Sequence, residues 1–242
     1  MVEKVPELAI ILAGGEGTRL RPLTEDTPKP LIPVNGKPVL AYILEELERE
    51  GIREVLVSIG YKGEKIVDFL KEVGSKRKIR ITYVQEEKAL GTGGALRFAL
   101  KKITKDYKDV FVINGDDLFT LDLASMYELH LKEEAYVTLA VKRVDDISGY
   151  GVLEISEKRI TRFIEKPDTS TMHDKSGIIN IGKYIFSSQA LNALPNLDIF
   201  PLEKGFLEGA VSTEKIMAFT SEGIWMPIDT PERYKKAIET WR

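Results

Sequence analysis

A chain of 242 residues, 43% hydrophobic and 30% charged, has enough apolar material for one large α/β domain under a heavily charged surface. A net charge of −3 argues against a general nucleic-acid surface, so affinity for an anionic substrate has to come from local geometry. The absence of cysteine and the presence of only His130 and His173 rule out disulfides and thiolate chemistry, and argue against a histidine metal cage or triad. No run reaches the ~18–20 apolar residues of a membrane span. The first residues carry no signal-peptide pattern, so a cytoplasmic protein without a membrane partner is expected.

Taken in order, Leu8 to Leu12 reads as a buried strand, which Gly14, Gly15 and Gly17 then break. Glycine lets backbone N–H groups come close to a ligand, and Arg19 adds a rigid fork of donors suited to phosphate oxygens. Lys29 stands between Pro28 and Pro30, a stiff support for a positioned cation. The natural ligand of Leu12-Ala13-Gly14-Gly15-Glu16-Gly17-Thr18-Arg19 is therefore phosphate. Neither common phosphate signature fits. There is no Gly-Lys-Ser/Thr as a Walker loop needs, and Leu20 occupies the place of the last glycine of a dinucleotide fingerprint.

Pro38 opens a helix with Val39, Leu40, Ile43, Leu44 and Leu47 at helical spacing, closed by Gly51. Strands are expected at Glu54–Ile59, Ile79–Val84 and Val110–Ile113, with helices between them after Gly63 and around Ala95–Ile103. This alternation predicts a predominantly parallel central sheet in a Rossmann-like three-layer α/β/α arrangement, with ligands at the carboxyl ends of the strands. There Asn114-Gly115-Asp116-Asp117 follows the fourth strand, and a carboxylate so placed suits Mg²⁺ shared with phosphates. After about residue 135 the strands at Tyr136–Val141, Gly151–Ile155, Ile160–Glu165 and Ile178–Phe186 are joined more by turns, as in an added β lobe. Short helices, two further strands near 215–219 and 223–228, and a helix from Pro231 complete the expected elements.

The run Leu-Ala-Gly-Gly-x-Gly-Thr-Arg-Leu-x-Pro-Leu-Thr followed by Pro28-Lys29-Pro30-Leu31 resembles the signature of the sugar-phosphate nucleotidyltransferases, or NDP-sugar pyrophosphorylases. That resemblance implies a single domain over 1–242, about 1–134 binding the nucleotide and about 135–242 the sugar phosphate. The C-terminal β-helix of some members is not expected within it. It implies coupling of a nucleoside triphosphate to a sugar 1-phosphate, giving an NDP-sugar and pyrophosphate. The implied nucleotide contacts are Leu12, Ala13, Gly14, Gly15, Gly17, Thr18 and Arg19. Gln85, with Gly91 and Thr92, would read the base. Gly151, Glu165, Lys166 and Asn180 would hold the sugar phosphate. Arg19, Lys29 and Asp116 would carry the catalysis.

Asp116 would also bind Mg²⁺. Where many members read Trp-x-Asp-x-Gly-Thr-Pro, this chain has Trp225-Met226-Pro227-Ile228-Asp229-Thr230-Pro231. Strand residues two apart share a face about 6.6 Å apart, so Asp229 can stand in as the second metal ligand; its alternative is to cap the last helix. Two other functions stay open: a non-catalytic NDP-sugar-binding regulator, and transfer to another phosphorylated acceptor. The base, the sugar and any homo-oligomer are not fixed by the sequence.

Overall fold

The computed structural model describes residues 4–173 and 175–241. In chain order the strands are β1 (Leu8–Ala13), β2 (Pro33–Val34), β3 (Lys37–Pro38), β4 (Glu54–Ile59), β5 (Arg80–Gln85), β6 (Asp109–Asn114) and β7 (Asp117–Phe119). They continue as β8 (Val137–Val144), β9 (Gly151–Ser156), β10 (Arg159–Glu165), β11 (Gly177–Ser187), β12 (Ile216–Thr220) and β13 (Trp225–Pro227). The helices are α1 (Leu23–Asp26), α2 (Val39–Glu50), α3 (Gly63–Gly74), α4 (Gly91–Leu100), α5 (Leu123–Lys132), α6 (Ser188–Asn192), α7 (Glu208–Ala210) and α8 (Pro231–Thr240).

Among the described residues the main sheet has nine strands in the order β5-β4-β1-β6-β11-β8-β12-β10-β9. Every residue of β1 is buried, and it lies between parallel partners β4 and β6, as a continuous apolar run requires. Alternation then sorts its side chains. Ala9 and Ile11 join a core with Leu40, Ile43 and Leu44 of α2, whereas Ile10 and Leu12 join a second core with Ala95, Leu96 and Ala99 of α4. Both faces of this strand are thus covered by helix.

The expected predominantly parallel sheet needs correction: the sheet is mixed. β5, β4, β1 and β6 are mutually parallel, but β11 enters antiparallel to both β6 and β8, and β10 is antiparallel to β9 and β12. The apolar run at 178–186 reads identically in either direction, so its burial could be seen in the sequence and its polarity could not. The helix α5 was also not anticipated. Asp122 caps it, accepting from the Ser125 N–H at 2.9 Å, and Met126, Tyr127 and His130 are buried along it. No helix among the described residues is long and apolar enough to cross a membrane.

What matters for function is where strands end. β1 ends at Ala13 and runs into the glycine turn, and β6 ends at Asn114 and runs into Asp116. Because β1 and β6 are adjacent and parallel, both ends open at one edge of the sheet.

Candidate active site

Beyond β1 the glycine turn is fixed from several sides. Gly17 has φ +64°, and its carbonyl accepts from the Thr24 hydroxyl at 2.9 Å. Gly14 is closely approached by the Glu86 carboxylate, since a Cβ there would sit 2.7 Å from Oε1 and push that side chain aside. Its carbonyl accepts from the Tyr61 N–H at 3.1 Å. Lys29 opens a short 3₁₀ turn and is buried, yet its Nζ emerges 2.7 Å from Oδ2 of Asp116.

Two adjoining cavities meet at this point. One, of about 290 Å³, is lined by Leu12, Ala13, Gly15, Gly17, Thr18, Arg19, Lys29, Thr92, Asp116 and Asp229, among others. The other, of about 430 Å³, is lined by Gly151, Glu165, Lys166 and Asn180. Arg19, Lys29, Thr92, Asn114, Asp116 and Asp229 line both. A larger groove of about 920 Å³ elsewhere shares none of these residues. The structure does not bring three expected residues into either cavity. Gly14 packs on Glu86 and Gly60, Gly91 packs on the Phe200 carbonyl, and Gln85 is exposed at the end of β5.

The cations and carboxylates of the cleft are already matched. Asp116 pairs with Lys29; Asp229 lies between Arg19 Nη1 at 2.9 Å and Arg233 Nη1 at 2.7 Å. The last helix takes its cap from Thr230, whose hydroxyl accepts from the Arg233 N–H at 3.3 Å, so the Asp229 side chain is left to face the cleft. Arg233 in turn lies over the Tyr150 ring, 4.8 Å from its centroid. Desolvation alone would raise the Asp116 carboxyl, but Lys29, helped by Lys183 and Arg19, holds it below the usual carboxylate range. Burial raises Glu165, with Glu203 adding to it and Lys166 opposing.

Which of these groups suit a metal follows from donor chemistry. No cluster of three or more His, Cys, Asp or Glu side chains suited to a metal occurs among the described residues. Asp116 and Asp229 nonetheless share one cleft beside the glycine turn. That set fits a hard divalent cation that takes one or two carboxylates and completes its shell with phosphate oxygens and water.

A model of the nucleotidyl transferase family matches residues 8–239. The chain belongs to that family. Among its relatives, the D-glycero-alpha-D-manno-heptose 1-phosphate guanylyltransferase of Aneurinibacillus thermoaerophilus is 37% identical over 230 residues, covering 95% of this chain and 96% of that protein. Mannose-1-phosphate guanylyltransferase 1 of Arabidopsis thaliana is 34% identical over 229 residues, and this chain spans 62% of its length. The crystal structure of HddC from Yersinia pseudotuberculosis complexed with GMP-PN is similar with a TM-score of 0.82 at 33% identity, covering 98% of this chain and all of that one.

The structure adds residues that the sequence did not single out. Thr92 donates to Glu203 Oε2 at 3.0 Å, and Tyr184 donates to Glu203 Oε1 at 2.9 Å. Asn180 Nδ2 donates to the Tyr184 hydroxyl at 2.8 Å, so a hydrogen-bond chain runs from one cavity to the other. Glu203 stands far from Thr92 in the chain and no local pattern marks it, whereas Tyr184 falls in Asn180-Ile181-Gly182-Lys183-Tyr184-Ile185-Phe186, which resembles the family's Asn-Ala-Gly-x-Tyr-x-Phe. Arg233 carried a faint signal, four residues after Asp229 at the start of a helix. Glu86 had a signal beside it: it directly follows Gln85, yet it turns inward, accepting from the Ser58 hydroxyl at 3.0 Å and the Leu90 N–H at 3.3 Å.

Proposed function

We propose that this chain transfers a guanylyl group from GTP to the phosphate of a sugar 1-phosphate, releasing pyrophosphate and a GDP-sugar. One observation carries the reading: the glycine-turn cavity and the Glu165–Lys166 cavity share Arg19, Lys29, Asp116 and Asp229 at their junction. Two phosphorylated substrates placed there meet at their phosphates. The sugar phosphate oxygen attacks the α-phosphorus in line and the bond to pyrophosphate breaks, with no covalent enzyme intermediate.

The glycine turn offers backbone N–H groups to the triphosphate. Arg19 and Lys29 exchange their carboxylate partners for phosphate oxygens, and Arg19 neutralises the departing pyrophosphate. Lys166 holds the sugar phosphate, while Glu165 and Asn180 accept and donate to sugar hydroxyls around Gly151. Held together, the reactants gain from orientation as well as charge stabilisation. Asp116 and Asp229 would hold Mg²⁺, which when bound offsets the negative charge of the phosphates. Residues up to about 134 form the nucleotide half and the rest the sugar-phosphate half of one Rossmann-like three-layer domain. A cytoplasmic setting, where nucleoside triphosphates are abundant, fits this chemistry.

Guanine is favoured by the guanylyl-transferring relatives and by chemistry at the end of β5. Its N1–H and N2–H₂ edge presents two donors together, and a carboxylate accepts both. Directly after the expected base reader Gln85, Glu86 is a buried carboxylate facing Gly14, and to take the base it would exchange its Ser58 and Leu90 partners for the guanine edge. Glu86→Gln is expected to lower kcat/KM for GTP roughly tenfold or more and to narrow its preference over UTP. Unchanged selectivity would assign the reading to Gln85. The alternative of a non-catalytic regulator drew on Pro227; Asp229 facing the cleft beside Asp116 favours catalysis instead. The deciding assay is pyrophosphate release across a panel of triphosphates and sugar 1-phosphates with Mg²⁺. Release with GTP and a mannose- or heptose-type 1-phosphate is expected; NDP-sugar binding with no release from any pair would favour the regulator.

A further inference from the structure

Directly behind Asp116 lies a buried ion pair whose lysine has no access to solvent and whose carboxylate borders the cavity of about 430 Å³. Lys183 of β11 is 0% exposed, and its Nζ donates to Asp117 Oδ1 at 2.5 Å and to the Ile181 carbonyl at 3.1 Å. The same ammonium lies 4.6 Å from the centroid of the Phe119 ring. The second oxygen of Asp117 accepts from the indole N–H of Trp225. Two ammonium N–H groups are thus hydrogen-bonded, the charge faces an aromatic ring, and both carboxylate oxygens accept. Even so, a buried ion pair often contributes no more stability than apolar side chains of the same volume. Its presence beside the cleft therefore calls for a reason other than stability.

Connectivity supplies one. Asp117 directly follows Asp116 and is paired across the β7–β13 ladder with Pro227, two residues before Asp229. Lys183 sits just past Gly182, in a bulge where the pairing of β11 with β8 shifts register between Asn180 and Tyr184. Gly182 has φ +70°, and a Cβ on it would lie 2.4 Å from Nδ2 of Asn114, at the foot of the Asp116 turn. Three segments distant in sequence are thus tied at one point: the β11 bulge, the β6–β7 turn and β13. Asp116 and Asp229 project from two of them.

We propose that Lys183 and Asp117 are a buried positioning pair that, through Trp225, sets the spacing between the Asp116 and Asp229 carboxylates. The proposal rests on reading those carboxylates as the metal-holding pair. It explains how this chain works with proline at 227: the carboxylate moves two residues along, and a rigid anchor at the 117–227 step fixes where it lands. Lys183 does not touch substrate in this scheme, and Asp117, though it borders the cavity of about 430 Å³, has both carboxylate oxygens committed to Lys183 and Trp225.

The test is the double variant Lys183→Met with Asp117→Asn, which removes both charges, fills the volume and leaves an acceptor for the Trp225 indole. Mn²⁺ binding is titrated by electron paramagnetic resonance in the presence of a non-hydrolysable GTP analogue, beside far-UV circular dichroism, thermal melting and steady-state kinetics. Mn²⁺ affinity and kcat are expected to fall roughly 10–100-fold, the size typical of outer-sphere partners of metal ligands, with KM for the sugar 1-phosphate and the melting temperature little changed. A folded double variant with wild-type Mn²⁺ affinity and kcat would overturn the proposal. Should that variant not fold, Trp225→Phe decides: it keeps a ring against Tyr150 and removes one N–H. A smaller weakening of Mn²⁺ binding supports the pair, and no change overturns it. Asp116→Asn in the same titration separates the two levels. If it binds Mn²⁺ like wild type, the metal-site reading fails; if it loses Mn²⁺ while the double variant keeps it, only the positioning role fails.

Discussion

Asp116→Asn is expected to lower turnover roughly 10³-fold with little change in fold. A bound cation contributes several kcal/mol of charge stabilisation, and each ~1.36 kcal/mol is a factor of ten in rate. Asparagine keeps the size of the side chain and an oxygen for Lys29, which now sits 2.7 Å from Asp116 Oδ2. The loss should therefore appear in kcat for pyrophosphate release, not in circular dichroism. The substitution has a second signature. The Asp116 carboxyl lies below its ordinary value of 3.8, because desolvation, which raises it, is outweighed by Lys29 together with Lys183 and Arg19. A carboxyl depressed in the folded state stabilises it above that value, and the contribution fades as pH falls further. Asp116→Asn should flatten that part of the acid-unfolding profile, by a modest amount since the side chain is nearly half exposed. Turnover within a few-fold of wild type would remove Asp116 from the reacting centre.

Arg19→Ala is expected to lower kcat by roughly 10²–10³, the usual cost of losing a donor to developing negative charge. The fold should persist, because Arg19 is largely exposed and Asp229 keeps its contact with Arg233. Arg19→Lys should recover only part of the loss, since an ammonium lacks the planar fork. Pyrophosphate, measured as a product inhibitor, should bind more weakly to the alanine variant. Near-normal turnover with normal pyrophosphate inhibition would place Arg19 outside the leaving-group site.

Local motifs made the family and the first strands legible. Glycine at 14, 15 and 17 has few uses other than close backbone approach, and the apolar run before it has one plausible state. Asp116 was readable because a buried strand delivers it to the carboxyl edge of a sheet. Asp117 was expected to point elsewhere, and it does, toward Lys183. The partner itself was invisible: 66 residues separate the two, and a lysine in an apolar strand reads as solvent-facing. The role of Asp229 was an open choice, because a helix start offers Asp and Thr as equal candidates for the cap. The backbone placement of Thr230 gives it the cap and leaves the Asp229 side chain facing the cleft. Strand direction beyond β6 was lost for a different reason. Hydrophobic alternation is a symmetric signal, and β11 takes its polarity from the connections around it.

On the proposed reading, the polar thread Thr92–Glu203–Tyr184–Asn180 would keep the two halves from answering independently to their guests. Glu203 has one oxygen committed to Thr92 and the other to Tyr184, so a sugar that pulled Asn180 toward itself would redraw what Thr92 can offer a nucleotide. By thermodynamic reciprocity the influence runs equally the other way. Discrimination among sugars would then depend partly on which base is already seated, a dependence that separate titrations of each substrate would miss.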